Sequence, residues 1–455
     1  MDYREIENTA FAPADEATWR KLAEKALKGA DFDAALVSRS DDDIAYGPIY
    51  TRSASPAFLH RIDADNPWSV CQRVDDPDAS RASVQIAEDL QNGADSLMVC
   101  LEGAPSALGF GASADIADRL AYNKPRAIWL DPGADFGAAS KFSSIEGATL
   151  YGGLDPWCVA ARFGVDQVDP AALAPAARAL GGVALKADGR VVHNAGGTEG
   201  QELAFILASM AENLRLFEAA DIAPGDVFAM TALYASVDQD QFLSTARLRA
   251  LRQLAAAMQK ACAVAPVSMP IHAETSLRML TRQDAETGVL RNTIAAFAAG
   301  IGGADAVTVL PHSWSAGLPE AAARRLARNT QIVLIEESRL DHVLDPMAGA
   351  GGVEYLTSEI AAVAWRLFQE IEAEGGLLAS LTSGAFQSRV HEARAARFQR
   401  IEKGERPIIG TTLYPPAAER PLDVYEKTAA PETPAMDAKS LAPAPLYLAA
   451  EGEAA

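Results

Sequence analysis

Pro266-Val-Ser-Met-Pro-Ile-His-Ala-Glu274 opens a stretch, residues 266–338, in which two patterns alternate. A short apolar run ends on a polar cluster made of His272, Glu274, Thr275 and Ser276. An amphipathic segment, 284–300, leads into a second apolar run, 304–310, which ends on His312 and Ser313 before Trp314. Residues 319–337 return to helical spacing. Strand, polar tip and helix, twice over, is the pattern of a parallel α/β arrangement. In a closed barrel of that kind the active site is built at the carboxyl ends of the strands.

The same alternation extends outward in both directions. Strand-like runs fall at 68–74, 96–101, 127–130, 148–151, 182–186, 227–235, 267–271 and 306–310. Helix-like segments fall between most of them, at 79–91, 114–123, 170–180, 200–219, 239–263 and 284–299. The connection between the third and fourth runs is the least defined. Eight runs in alternation predict a (β/α)8 TIM barrel over residues 61–345. Residues 1–60 read as a helical and extended arm, with a helix at 18–28 and an extended piece ending at Arg52. Residues 346–414 read as helices packed on the barrel, and 415–455 as a flexible Pro/Ala-rich tail. Gly109-Phe-Gly111 and Gly349-Ala-Gly-Gly352 are turns in this reading, because neither is followed by the Lys-Ser/Thr of a phosphate loop. Absence of G-x-G-x-x-G after the first run speaks against a dinucleotide fold.

Composition narrows the function classes. Half of the 455 residues are hydrophobic, enough for a large core, yet no apolar run is long enough to span a membrane. The charged start, Met-Asp-Tyr-Arg-Glu, does not read as a signal peptide, so a cytoplasmic protein is expected. A net charge of −21 speaks against nucleic acid as a partner. Cys71, Cys100, Cys158 and Cys262 form no C-x-x-C pair and read as reduced thiols, so no metal site is expected. Met98, Met210, Met230, Met258 and Met279 read as core filler. Arg389, Arg394, Arg397 and Arg400 on a late helix read as a solvated face.

Several longer segments carry a family resemblance. They are Asn66-Pro-Trp-Ser-Val-Cys-Gln72, Ala327-Arg-Asn-Thr-Gln-Ile-Val-Leu-Ile-Glu-Glu-Ser338, Asp345-Pro-Met-Ala-Gly349, Ala364-Trp-Arg-Leu-Phe-Gln-Glu-Ile-Glu-Ala-Glu-Gly-Gly376 and Gly404-Glu-Arg-Pro-Ile-Ile-Gly410. From residue 19 to 415 the chain resembles the barrel portion of the methylmalonyl-CoA mutase family, adenosylcobalamin-dependent isomerases of acyl-CoA carbon skeletons. Catalytic barrels of that family carry a tyrosine where this chain has Arg73, and an arginine where it has Asn66. Around the family's catalytic histidine this chain reads His272-Ala-Glu-Thr-Ser-Leu-Arg278, so the histidine is kept while its surroundings change. Trp19-Arg-Lys-Leu-Ala-Glu-Lys-Ala-Leu-Lys-Gly29 and Val192-His-Asn-Ala-Gly196 are similar to the small, β-type subunit.

The resemblance implies a non-catalytic chain that pairs, as a heterodimer, with a large mutase subunit of the same fold. That complex converts methylmalonyl-CoA to succinyl-CoA. Adenosylcobalamin is then expected at the level of the complex and is not held by this chain alone. None of the six histidines has an aspartate two positions before it, as the cobalt-ligating Asp-x-His-x-x-Gly would require. The alternative is a catalytic acyl-CoA mutase barrel that uses a separate cobalamin-binding protein. His272 is the candidate catalytic residue by resemblance, read here as vestigial and bonded to Glu274 or a backbone carbonyl. Arg73, Glu102 and Glu274 are candidates for the barrel mouth, with Arg73 and Glu102 expected as an ion pair plugging a disused cavity. Burial of Glu274 beside His272 is expected to raise the histidine's pKa. His193 and His312 are expected as satisfied polar groups at strand ends.

Overall fold

The computed structural model describes residues 15–143, 145–418, 420–429 and 435–451. Eight parallel strands close into a barrel: β1 (Ser69–Val74), β2 (Ser96–Cys100), β3 (Ala127–Asp131), β4 (Thr149–Leu154), β5 (Val183–Asp188), β6 (Thr231–Val237), β7 (Ile271–Thr275) and β8 (Ala306–Thr308). Ala306 of β8 pairs with Ser69 on one side and His272 on the other, which closes the ring. The TIM-barrel expectation is met.

Helices surround the strands: α1 (Ala79–Gln91), α2 (Ile116–Asn123), α3 (Leu173–Leu180), α4 (Glu199–Glu218), α5 (Gln241–Ala261), α6 (Thr287–Ile301) and α7 (Ala321–Ile332). Side-chain caps define several of their starts. Asp78 accepts from the amides of Ser80 and Arg81, and Thr198 forms a reciprocal capping box with Gln201. The poorly defined connection after β3 is a 3-10 helix, Phe136–Phe142. After the barrel come α8 (Gly351–Ala373), α9 (Leu377–Ser383) and α10 (Ala385–Glu402).

Two strand positions differ from expectation, and the difference moves side chains. Val227 lies in a helix, Pro224–Ala229, so β6 begins only at Thr231. The seventh strand begins where its expected run ends. Pro270 has no N–H to give the ladder, and Ile271 is the first paired residue. His272 and Glu274 therefore lie within the strand and not at its tip.

The segment Ala327–Ser338 that carries the resemblance begins in the second half of α7, a helix wedged against α1 and β1. Asp89 on α1 accepts from Gln72 (3.1 Å), Arg324 (2.9 Å) and Arg328 (2.6 Å), and the Trp68 indole donates to Gln331 (3.2 Å). All of these side chains are buried. The diagnostic residues hold helix to strand.

The arginine-bearing helix α10 is not a solvated face. Arg394 and Arg397 are buried, and Arg397, Arg400 and Arg406 converge on Asp41 of the N-terminal arm. Arg389 pairs with Glu374. Arg52 of the arm lies against the Gly349–Gly352 turn, where a side chain on Gly351 would meet the Thr51 carbonyl oxygen at 1.9 Å. Close backbone approach, not phosphate binding, accounts for those glycines.

Nor is the region after Tyr414 a flexible tail over its described residues. Val424–Lys427 pairs antiparallel with Gly317–Pro319, and Leu441, Ala444, Leu446 and Tyr447 are buried. The apolar groups are few, but each covers a surface supplied by a distant element.

Candidate functional site

Two layers of side chains fill the barrel along its axis. In the lower, aromatic layer Trp129 stacks on Tyr151 with ring centroids 3.7 Å apart, and Tyr234 and His272 pack at 5.6 and 5.1 Å from Trp129. Met98, Cys71 and Cys100 complete the layer. Beneath it, at the amino ends of the strands, a cavity of about 350 Å³ has Trp129 and Tyr151 in its lining.

The upper layer is ionic. Arg73 on β1 reaches Asp75 (2.5 Å), Glu274 on β7 (2.9 Å) and the Ser106 carbonyl (2.6 Å). Glu274 lies 3.1 Å from Arg190, which binds Asp188 on β5 at 2.7 Å. Lys186 bridges Asp188 (3.2 Å) and Asp131 on β3 (3.0 Å). Three cations thus alternate with four carboxylates across the mouth, and all seven side chains are buried. Burying a charge is costly, and each charge here faces an opposite one within 3.2 Å. Asp188 is held well below the usual carboxylate range, because Arg190 and Lys186 outweigh the cost of its burial. Above this layer remains a cavity of about 20 Å³, room for roughly one water.

Glu102 is not part of this arrangement. Strand β2 ends at Cys100 and Gly103 takes a positive φ of 79°, which turns Glu102 out to solvent. Arg73 pairs with Asp75 and Glu274 instead. Sequence reasoning singled out Arg73 and Glu274, and missed Asp75, Asp131, Lys186, Asp188 and Arg190.

His272 is fully buried, and its Nε2 meets the Thr308 hydroxyl on β8 at 2.9 Å, not Glu274 or a carbonyl. Burial, reinforced by Arg190, lowers its pKa well below the ordinary value, contrary to the rise expected from Glu274. The charge of Glu274 is spent on Arg73 and Arg190. His272 is a neutral imidazole in an aromatic layer.

His193 lies on a short helix, Arg190–Asn194, past the end of β5, with Nε2 2.7 Å from Ser276 Oγ and Glu202 3.4 Å from Nδ1. Serine, histidine and carboxylate at these spacings suggest a nucleophile and its base. Arg247 decides otherwise. Its Nη1 lies 3.0 Å from Nδ1 and can only donate, so Nδ1 accepts and Nε2–H donates to Ser276. A histidine in that tautomer cannot take the serine proton. Burial and Arg278 also keep it neutral. His312 begins a 3-10 turn after β8 and is half-buried.

Burial has a consequence for stability. It raises Glu202 and Asp155 to about 7 and Asp240 to about 6, against an ordinary carboxylate near 4. A raised carboxyl stabilises the fold below its unfolded pKa and loses that contribution as pH rises through the folded value. The lowered Asp188 and Asp238 act the opposite way, below about pH 4. The thermal midpoint is therefore expected to fall between pH 5.5 and pH 8.5. A midpoint that rises over that window contradicts the assignment.

Adenosylcobalamin, which the resemblance implies, does not fit the described residues. The carboxyl mouth is filled by the ionic layer, and the remaining cavity admits a water, not a corrinoid. Among the described residues no cluster of histidine, cysteine and carboxylate could hold a metal, and no helix is long and apolar enough to cross a membrane.

Comparison with known proteins bears on the same residues. A family model described as methylmalonyl-CoA mutase matches residues 183–438, from β5 to beyond α10. The chain is 34% identical to the methylmalonyl-CoA mutase small subunit of Streptomyces virginiae, over 92% of this chain and 74% of that one. It is 30% identical to the small subunit of Propionibacterium freudenreichii subsp. shermanii, over 92% and 72%. Similarity to the methylmalonyl-CoA mutase of Cereibacter sphaeroides, 34%, covers 52% of this chain and 34% of that protein. With a closed eight-stranded barrel and this extent of identity, the chain belongs to the methylmalonyl-CoA mutase family.

Proposed function

We propose that this chain is the small-subunit-type component of an adenosylcobalamin-dependent methylmalonyl-CoA mutase in the cytoplasm. It pairs with a large subunit of the same fold, and the large subunit carries the isomerisation of methylmalonyl-CoA to succinyl-CoA. Its own barrel takes no part in the chemistry. The observation that carries this reading is the buried chain of alternating charges from Asp75 through Arg73, Glu274, Arg190, Asp188 and Lys186 to Asp131. Radical rearrangement of an acyl thioester needs an enclosed cavity that holds the substrate. Here that volume is occupied by side chains that pair with one another. A further support is the name of the relatives aligned over most of their length, both small subunits.

Co-expression of the tagged chain with a large mutase subunit tests the pairing. A one-to-one complex by sedimentation is the expected result. Recovery of the tagged chain alone, with the large subunit folded in the same lysate, contradicts it.

A further inference from the structure

The last described residues cross the face from which a barrel of this kind takes its reactants. Leu441 N–H donates to Ala161 O (2.7 Å), Ala444 N–H to Asn194 O (2.7 Å) and Leu446 N–H to Arg278 O (2.9 Å). Those acceptors follow β4, β5 and β7, so one segment staples three separate loops. Upstream, Gln387 donates to the Lys439 carbonyl and His391 Nδ1 donates to the Met436 carbonyl, which ties the segment to α10. Leu441 packs with Trp157, Phe386 and Val390, while Leu446 packs with Phe398, Ile401 and Ile408. Pro443 and Pro445 stiffen the crossing. Leu441 and Pro443 line the 20 Å³ cavity together with Asp188, Arg190 and Glu274.

We infer that residues 435–449 are a built-in cap that closes the carboxyl face of the barrel against any second domain or cofactor-bearing protein. The inference rests on the reading of this barrel as non-catalytic and adds a second, separate closure above the ionic layer. Corrinoid chemistry does not fit beneath it, because the cap occupies the approach as well as the mouth.

Cys158 reports on the cap, since it is buried and lines the same cavity as Leu441. Cys262 is exposed, and Cys71 and Cys100 are buried inside the barrel, so all three serve as internal controls. The full chain is labelled with iodoacetamide at pH 8.5 and each cysteine is followed by mass spectrometry. Cys158 is expected to react at least ~100-fold more slowly than Cys262, because it must wait for the cap to open. In Leu441→Asp, Cys158 is expected to approach the Cys262 rate while Cys71 and Cys100 stay protected. Equal rates for Cys158 and Cys262 in the unmodified chain overturn the proposal, as does a folded Leu441→Asp chain in which Cys158 stays protected. If Leu441→Asp does not fold, Pro443→Gly with Pro445→Gly loosens the crossing without burying a charge, and the same comparison decides. Turnover of acyl-CoA separates the two readings. An open cap without turnover removes the cap alone, whereas turnover that appears only in Leu441→Asp removes the non-catalytic reading and leaves the cap.

Discussion

Arg73→Ala is expected to cost about 3–5 kcal/mol of unfolding free energy, the range for removing one partner from a buried ion pair. Arg73 links Asp75 to Glu274, and it also donates to the Ser106 carbonyl. Glu274 keeps Arg190 at 3.1 Å, so its charge stays partly compensated. Asp75 is the more exposed to loss, because its other cation, Arg324, stands 3.7 Å away and also serves Asp89. Van der Waals contact with Trp314 goes as well, since the guanidinium sits 4.8 Å from that ring. Urea unfolding followed by tryptophan fluorescence measures the change. A loss under about 1 kcal/mol, the worth of an exposed pair, contradicts the buried network. Arg73→Met, which keeps volume and removes charge, should be nearly as damaging, because the cost comes from the stranded carboxylates.

Asp89→Ala is the second large effect, again about 3–5 kcal/mol. Among the described residues Asp89 is the only carboxylate within 3.5 Å of Arg328, and it receives Gln72 and Arg324 as well. Its loss leaves the buried Arg328 guanidinium without its carboxylate and Arg324 with only the longer pair to Asp75 at 3.7 Å. Arg324 also donates to the Arg73 carbonyl at 2.6 Å, so the disturbance reaches β1. Asp89→Asn should recover part of the loss, because the amide oxygen still accepts one hydrogen bond. Equal stability for Asp89→Ala and the unmodified chain would contradict the wedge assigned to α7.

Much of the fold was legible because period and caps agree along most of the barrel. The segment 79–91 is a helix over the same residues in the structure, where the Asp78 side chain caps its start. Where the reading slipped, one residue accounts for it. Pro270 sits inside an apolar run and looks like strand, but its missing N–H delays the ladder by several residues and draws His272 and Glu274 into the barrel. Glu102 was placed at the mouth by its nearness to the second strand, and the turn at Gly103 takes it out to solvent. The charged layer itself carried a signal that went unused: Asp131, Lys186 and Asp188 close the third and fifth apolar runs, where a barrel's polar mouth is expected. Their partners could not be read, since an ion pair between β1 and β7 spans 201 residues of sequence. The cap was hidden for a related reason. Leu441, Ala444 and Leu446 follow no helical or strand period, and the surfaces they cover come from α9, α10 and three barrel loops.

In the proposed reading this barrel is closed and does no chemistry of its own. Titration of the purified chain with methylmalonyl-CoA, alone and with adenosylcobalamin plus a separate cobalamin-binding protein, followed by a turnover assay, tests it most directly. No saturable binding in the barrel and no succinyl-CoA is the predicted result. Saturable binding with turnover contradicts that proposal, because the acyl thioester would then have to displace Arg73, Glu274 and Arg190 from a buried layer in which each faces an opposite charge.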